Sequence, residues 1–258
     1  MSEKVIVITG ASSGIGASTA KLLAKRGDKV VLAARRLAEL KQVAAECGPS
    51  ALTVVTDVTR RADMEHLRDE ALRAFGRVDV WLNNAGRGIT RQVLDLTDED
   101  FDQMMAVNVK SALYGAQVIV PYFKEHSTGH LINVSSALGR VPFASYRSVY
   151  SASKAALNSL TANLRMDLRA AYPNIHISVV MPPMVSTEFA NNALHGTPPP
   201  PTGFRSASGA PQTPEQTAAV IVELIDHPRP EVYTNPGFSE LVARYYTDIA
   251  AFEENMGR

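Results

Sequence analysis

The sequence predicts a doubly wound α/β fold, a parallel sheet of about seven strands with helices on both faces. Short apolar runs recur along the chain with longer helical stretches between them, and polar or glycine-rich segments follow several runs. Strands that alternate with helices form βαβ units with right-handed crossovers. The length of 258 residues suits one such unit, so residues 1–258 are expected to form a single domain.

Six apolar runs are predicted to be buried strands. They lie at residues 5–8, 30–34, 52–55, 78–82, 130–134 and 175–181. Ligands of such sheets bind at the carboxyl ends of the strands, so the segments after these runs should converge on one edge. Residues 187–214 break the alternation with a proline run, and we interpret them as a substrate lid; the alternative is an insertion without function. Residues 238–256 are predicted to form an amphipathic helix.

Composition excludes several function classes. The 26 basic and 26 acidic residues balance, which gives no basic surface for nucleic acid or an anionic membrane. Cys47 is the only cysteine, so an intrachain disulfide and a cysteine-based metal cluster are excluded, and a reducing, cytoplasmic environment is expected. The six histidines lack paired metal-ligand spacing. No signal segment or membrane-spanning apolar run is apparent. From the charge balance we expect a small-molecule substrate, and from the cysteine and histidine patterns we expect no metal.

The first predicted strand leads into a glycine-rich segment that opens a helix, the context expected of a dinucleotide-binding loop. Its residues are Gly10, Ser12, Ser13, Gly14, Ile15 and Gly16. The glycines permit a tight turn and let a pyrophosphate approach the helix N-terminus, while the serines can add hydroxyl donors.

The second, third and fourth strands also end in candidate cofactor residues. Arg35 stands where NAD-binding chains usually carry a carboxylate, and its guanidinium suits a 2′-phosphate, so NADP(H) is favoured over NAD(H). Asp57 is a candidate acceptor for the adenine amino group. Asn83 is predicted to hold the backbone beside the cofactor, and Ala85 with Gly86 would let the chain pass closely.

Three side chains indicate redox chemistry at a carbonyl group. Tyr150 and Lys154 are four residues apart, which places them on one face of a helix, and Ser136 precedes them after the fifth strand. A lysine beside a tyrosine favours the phenolate anion, so Tyr150 becomes usable as an acid or base near neutral pH.

These motifs, together with the segment Asn83-Asn84-Ala85-Gly86 and Asn108, resemble the short-chain dehydrogenase/reductase family over nearly the whole chain, which implies a Rossmann-type sheet. The resemblance implies that Tyr150 is the acid/base, Lys154 binds the nicotinamide ribose, Ser136 holds the substrate oxygen and Asn108 supports a proton relay. Ser136 matches the family position because Ala137-Leu138-Gly139 follows it, and Ser135 is left as a supporting residue. Pro182, Val185 and Thr187 match residues that contact the nicotinamide end, although Pro183 replaces the usual glycine. The resemblance also implies a homodimer or homotetramer.

The predicted activity is hydride transfer between NADP(H) and a small or medium, largely apolar carbonyl or alcohol compound. The expected apolar lining is Val141, Phe143, Tyr146, Met184 and Phe189. Four arginines lie near the same mouth in the sequence, namely Arg87, Arg91, Arg140 and Arg147. They could bind an anionic substrate, or they could be solvated surface residues. The alternatives for the whole chain are an NAD-dependent alcohol dehydrogenase of the same family and a non-catalytic dinucleotide-binding regulator.

Overall fold

The computed structural model describes residues 3–196 and 210–256 and contains a seven-stranded sheet in which all neighbouring strands are parallel. The strands are β1 (Val5–Thr9), β2 (Lys29–Ala34), β3 (Ala51–Val55), β4 (Val80–Asn83), β5 (Gly129–Val134), β6 (Ile175–Met181) and β7 (Glu231–Tyr233), in the spatial order β3-β2-β1-β4-β5-β6-β7. The predicted fold class is confirmed. Six strands match the predicted runs, whereas β7 has no counterpart among them.

Helices connect the strands and cover both faces of the sheet. They are α1 (Gly14–Arg26), α2 (Leu37–Cys47), α3 (Arg61–Phe75), α4 (Asp98–Met105), α5 (Ser111–His126), α6 (Ser148–Arg169), α7 (Pro214–Asp226), α8 (Phe238–Thr247) and α9 (Ile249–Met256). A π-helical turn, Ala106–Lys110, joins α4 to α5. The predicted C-terminal helix is two helices, because Asp248 adopts an extended conformation between them. No helix in the described ranges combines the length and apolar character needed to cross a membrane.

Two apolar cores lie on opposite faces of the sheet. One packs residues of α1, α2 and α7 against β1, β2 and β4, and includes Leu23, Leu40 and Leu224. The other packs residues of α3, α5 and α6 against the opposite face and includes Trp81 and Phe123, both fully buried. Burial on both faces explains why the central strands read as continuous apolar runs rather than as alternating patterns.

The strand order reverses between β1 and β4, and this topological switch point positions the site. The loops after β1 and β4 diverge to opposite faces there and leave a crevice at the carboxyl edge, where ligands of doubly wound sheets bind. The predicted dinucleotide loop and the segment Asn84-Ala85-Gly86 border this crevice, as the sequence predicts.

The segment after β6 is anchored on the far side of the site. Leu194 N–H donates to the Gly88 carbonyl at 2.9 Å, and Thr90 N–H donates to the Leu194 carbonyl at 3.0 Å. His195 Nε2 lies 2.8 Å from a carboxylate oxygen of Asp100, which completes the capping box of α4 with Thr97. Residues 197–209 of the predicted lid lie outside the described residues. The described part before them is therefore held against the connection between β4 and α4.

Candidate active site

The glycine loop has the close contacts that a nucleotide-binding turn requires. Gly10 and Gly14 adopt left-handed conformations, with φ of +68° and +55°. A Cβ atom on Gly16 would lie 2.5 Å from the Gly10 carbonyl oxygen, and one on Gly10 would lie 2.9 Å from Ala85 Cα. Ser13 precedes α1 without a side-chain cap, and the first turn of α1 carries no acidic residue. The N-terminal amides of α1 therefore suit a pyrophosphate, and the loop fits a dinucleotide.

The two asparagines after β4 have different surroundings. Asn83 is buried, accepts from Trp81 Nε1 at 2.9 Å and donates to Asn133 Oδ1 at 2.9 Å. Asn84 donates through Nδ2 to the carbonyls of Thr9 and Gly10 at 2.9 and 3.2 Å. From the sequence, Asn83 was expected to hold the backbone beside the cofactor, but Asn84 makes the contacts to the glycine loop. Asn83 instead joins β4 to β5 beneath the crevice.

Two arginines and an aspartate lie at the other end of the crevice, after β2 and β3. Arg36 Nη2 donates to the hydroxyls of Ser12 and Ser13, each at 3.2 Å, while Arg35 is exposed beside it. Asp57 accepts from the Thr59 amide at 3.0 Å and from the Thr59 hydroxyl at 2.7 Å. Burial raises the pKa of Asp57, but the Thr59 bonds and the charges of Arg35 and Arg60 outweigh it, so the net pKa is lowered. Arg36 was not selected from the sequence, and the structure places it against the serines of the glycine loop.

Tyr150 and Ser136 come together at the carboxyl end of β5. Tyr150 stands in the first turn of α6 with 8% of its surface exposed. Burial raises the pKa of the phenol, while a hydrogen bond with the Ser136 side chain and the charge of Arg147 act in the opposite direction. The neighbouring hydroxyl of Ser135 donates to the Lys154 carbonyl at 3.2 Å. Ser136 therefore faces the phenol, and Ser135 contacts the main chain of α6.

Lys154 lies one turn after Tyr150 and is also buried. Its Nζ donates to the Val134 carbonyl at 2.9 Å and lies 5.8 Å from the centroid of the Tyr150 ring. Burial lowers the pKa of Lys154 to about 8. The net pKa of the Tyr150 phenol is raised by burial, and the Lys154 ammonium points to a main-chain carbonyl in this arrangement.

Asn108 lies in the π-helical turn and ties three elements to one another. Its Oδ1 accepts from the Arg87 amide at 2.8 Å, and its Nδ2 donates to the Arg87 carbonyl at 2.9 Å and to Ser153 Oγ at 3.0 Å. A Cβ atom on Gly86 would lie 3.3 Å from Asn108 Oδ1 and 3.5 Å from Lys154 Nζ. Asn108 and Lys154 are thus neighbours around Gly86. π-helical turns inside α-helices are frequent at functional sites.

The segment after β6 closes the end of the crevice next to Ser136. The Pro182 carbonyl accepts from the Ala137 amide at 2.8 Å, Val185 forms a β-bridge with Gln212, and Thr187 Cγ2 would lie 3.1 Å from a Cβ atom on Gly14. This segment therefore connects the glycine loop to the turn that carries Ser136.

The predicted apolar lining is only partly assembled around the tyrosine. Phe189 packs against Tyr150, with ring centroids 5.6 Å apart. Phe143 packs against Phe238 of α8 at 6.1 Å, Val141 is fully buried, and half of the Met184 surface is exposed. Phe189 is therefore the member of this set that the structure places on the phenol.

Comparisons with known proteins agree with this geometry. A family model described as short chain dehydrogenase matches residues 4–197. An uncharacterized oxidoreductase of Staphylococcus saprophyticus is 38% identical over 192 residues, which cover 74% of this chain and 77% of that protein. A short chain dehydrogenase/reductase from Burkholderia phymatum, solved in complex with NAD, matches with a TM-score of 0.86 and 29% identity over 96% of this chain and 95% of that chain. An alcohol dehydrogenase from the archaeon Thermococcus sibiricus, complexed with 5-hydroxy-NADP, shares the fold with a TM-score of 0.77 and 24% identity over 90% of this chain and 96% of that chain.

Proposed function

Since the chain belongs to the short-chain dehydrogenase family, we propose that it is an NADP(H)-dependent oxidoreductase of a small or medium carbonyl or alcohol compound. The observation that carries this proposal is the buried phenol of Tyr150, which meets the Ser136 hydroxyl beside Lys154 and next to a glycine loop that fits a dinucleotide. A phenylalanine would fill the same space without an ionisable group, so packing alone does not account for the phenol.

The proposed mechanism assigns a proton to Tyr150. The bound nicotinamide supplies the hydride that reaches the carbonyl carbon. Tyr150 donates its phenolic proton to the carbonyl oxygen, and Ser136 donates a hydrogen bond to the same oxygen, so that developing negative charge is stabilised. Lys154, with a pKa of about 8, gains and loses a proton near neutral pH and is suited to pass one towards the phenol. Asn108 holds the main chain of Arg87 in place. Alcohol oxidation follows the same steps in reverse.

The choice of NADP(H) rests on the two arginines after β2. Both offer donors to a 2′-phosphate, Arg35 from an exposed position near Asp57 and Arg36 from its contact with the loop serines. The runner-up is NAD(H), the form of cofactor held by the Burkholderia relative. We expect Arg35→Asp to weaken NADPH binding about 10-fold to 100-fold and to leave NADH binding nearly unchanged.

Fluorescence titration of both cofactors tests this choice. Arg229→Gln, which removes an exposed arginine paired with Glu223, is the control and should change neither affinity. Equal loss of NADH and NADPH affinity in Arg35→Asp, or no change in either, would remove Arg35 from the argument.

Turnover is tested by nicotinamide absorbance with a panel of ketones, aldehydes and quinones. Tyr150→Phe should lower kcat about 100-fold to 10,000-fold while cofactor affinity is retained, because only the proton donor is removed. Tyr172→Phe, a tyrosine that follows α6 and packs near Lys124, is the matched control and should keep full activity. Substantial activity in Tyr150→Phe would exclude the mechanism, and cofactor binding without turnover of any carbonyl would favour the non-catalytic regulator.

We also propose that the protein is a homodimer or homotetramer in a reducing, cytoplasmic environment. The outer faces of α5 and α6 form an apolar groove whose exposed members include Leu113 and Leu160, each more than 40% exposed. The single cysteine, Cys47, is buried, and burial raises the pKa of its thiol. Light scattering should give a dimer or tetramer that Leu160→Glu dissociates, and a monomeric wild type would refute the oligomer.

A further inference from the structure

The four arginines that the sequence places near the substrate mouth differ in their ion pairing. Arg91 Nη1 lies 3.0 Å from Asp100 Oδ2, and Arg140 Nη2 lies 2.7 and 2.6 Å from the two carboxylate oxygens of Glu231. Their charges are therefore neutralised by the protein. Arg87 and Arg147 have no carboxylate within ion-pairing distance in the part of the chain that the structure describes.

Arg147 is held in place without being neutralised. It immediately precedes α6, its Nη1 donates to the Ile89 carbonyl at 3.0 Å, and its guanidinium lies 5.5 Å from the centroid of the Tyr146 ring. Across residues 3–196 and 210–256, the bond to Ile89 is the only hydrogen bond of this guanidinium. Four of its five N–H groups therefore have no acceptor among the described residues.

The same guanidinium lies close to the aromatic ring that packs on Tyr150. A Cβ atom on Gly88 would lie 3.1 Å from Arg147 Nη1 and 2.9 Å from Phe189 Cε1, and the Phe189 ring packs on Tyr150. The positive charge of Arg147 lowers the pKa of the Tyr150 phenol against the larger effect of burial. For Arg87 the contacts seen are those of its backbone with Asn108. Of Arg87 and Arg147, Arg147 is thus the arginine that lies beside the aromatic ring packed on the proposed proton donor.

The surroundings of Arg147 favour an anionic partner over a neutral one. The hydrophobic cluster that includes Tyr150 also contains Ile89, Met104 and Val149, with Phe189 packed against it. A cation beside such a surface has lost part of its hydration, so a carboxylate that forms two parallel hydrogen bonds with it is stabilised more than a neutral group.

We propose that Arg147 binds a carboxylate carried by the carbonyl substrate, whose apolar part packs against Phe189. This inference rests on the proposed oxidoreductase function and narrows its substrates to keto acids and the corresponding hydroxy acids. A hydride from NADPH reaches the ketone carbon, the proton from Tyr150 reaches the ketone oxygen, and the products are the hydroxy acid and NADP⁺. The carboxylate keeps its charge throughout and serves to orient the ketone.

A binding comparison tests the carboxylate site without requiring turnover. Benzoate and its neutral isostere benzamide are titrated by calorimetry into the protein saturated with NADP⁺. We expect the wild type to bind benzoate at least about 10-fold more tightly than benzamide, and Arg147→Gln to lose that preference. Arg140→Gln, the same substitution at an arginine already paired with Glu231, should retain it.

Two results overturn the inference. One is a wild type without preference for benzoate, and the other is an equal preference in the wild type and Arg147→Gln. Because the wild-type comparison decides by itself, the test stands even if a variant fails to fold. Arg147→Lys keeps the charge but loses the planar fork, and should give an intermediate preference.

Turnover of a matched substrate pair separates the failure of this inference from the failure of the proposed function. The pair is benzoylformate and its methyl ester, which carry the same ketone with and without the negative charge. The ratio of their kcat/KM values should favour the acid in the wild type and fall about 10-fold to 100-fold in Arg147→Gln. Reduction of the ester in preference to the acid refutes the inference and leaves the function intact. Arg147-dependent benzoate binding without nicotinamide oxidation by any carbonyl refutes the function and the keto-acid substrate, and leaves only the carboxylate site at Arg147.

Discussion

Lys154 is expected to destabilise the folded protein at neutral pH, and this cost can be measured. The side chain is 3% exposed, and burial lowers its pKa from the ordinary 10.5 to about 8. At about 1.4 kcal/mol per pH unit, this difference corresponds to a penalty of about 3 kcal/mol for the charged form in the folded state. Lys154→Met removes the penalty, but it also leaves the Val134 carbonyl without its hydrogen bond, which costs about 1–3 kcal/mol.

The pH dependence separates these two effects. Below pH 8 the lysine is charged in both the folded and the unfolded state, so the whole penalty is present. Between pH 8 and 10.5 the folded protein loses the proton first, and the penalty declines as pH rises. Between pH 7 and pH 9.5, the free energy of unfolding of the wild type should therefore rise by about 2 kcal/mol relative to that of Lys154→Met. The lost hydrogen bond shifts the difference between the two proteins equally at both values of pH.

Urea denaturation of both proteins at pH 7, 8, 8.75 and 9.5 provides the assay. Lys41→Met, at an exposed position of α2, is the matched control and should keep a constant difference from the wild type. The variant should also lack turnover, so that function and stability oppose each other at one residue. A pH-independent difference between wild type and Lys154→Met would refute the reasoning.

Three further substitutions test the scaffold of the site. Gly16→Ala places a Cβ atom 2.5 Å from the Gly10 carbonyl oxygen and should abolish detectable cofactor binding by fluorescence titration while costing about 1–3 kcal/mol of stability. Asn108→Ala unties the Arg87 backbone and should lower kcat about 100-fold with little change in cofactor affinity, measured by steady-state kinetics. Thr97→Ala removes the capping box of α4 and should lower the free energy of unfolding by about 1 kcal/mol in urea without loss of activity. Normal cofactor affinity in the first, unchanged kcat in the second, or unchanged stability in the third would contradict the corresponding argument.

The fold could be predicted because its strands are buried on both faces and its helices are long. β7 could not, since it has three residues, Glu231–Tyr233, and only the middle one is buried. Its pairing with β6 stabilises β7, whereas its own residue pattern does not predict a strand. The break between α8 and α9 did carry a signal. Asp248 accepts from the Ala251 amide at 2.9 Å, as an N-terminal cap does, and an aspartate inside a predicted helix could have been read as a new start.

Within the site, residue types could be predicted better than contacts. From the sequence, the contact with the backbone beside the cofactor was assigned to Asn83, whereas Asn84 makes the contacts to the glycine loop. Sequence alone does not distinguish the two, because their contacts depend on which way each side chain leaves the end of β4. Asn83 is the last residue of the strand and pairs in register with Asn133, so it is committed to the sheet. Asn84 lies beyond the strand and is free to reach the carbonyls of the loop.

Charge pairing across the chain decides which cation is left for a ligand, and local sequence contains no information about it. Arg140 and Arg147 are seven residues apart and equivalent by composition, yet Glu231, 91 residues after Arg140, neutralises only the first. The partner arrives through β7, the one strand that the sequence did not reveal. Arg147 faces the Ile89 carbonyl, which accepts a hydrogen bond but brings no negative charge. The strand that the sequence did not reveal thus neutralises Arg140, whereas Arg147 meets no carboxylate among the described residues.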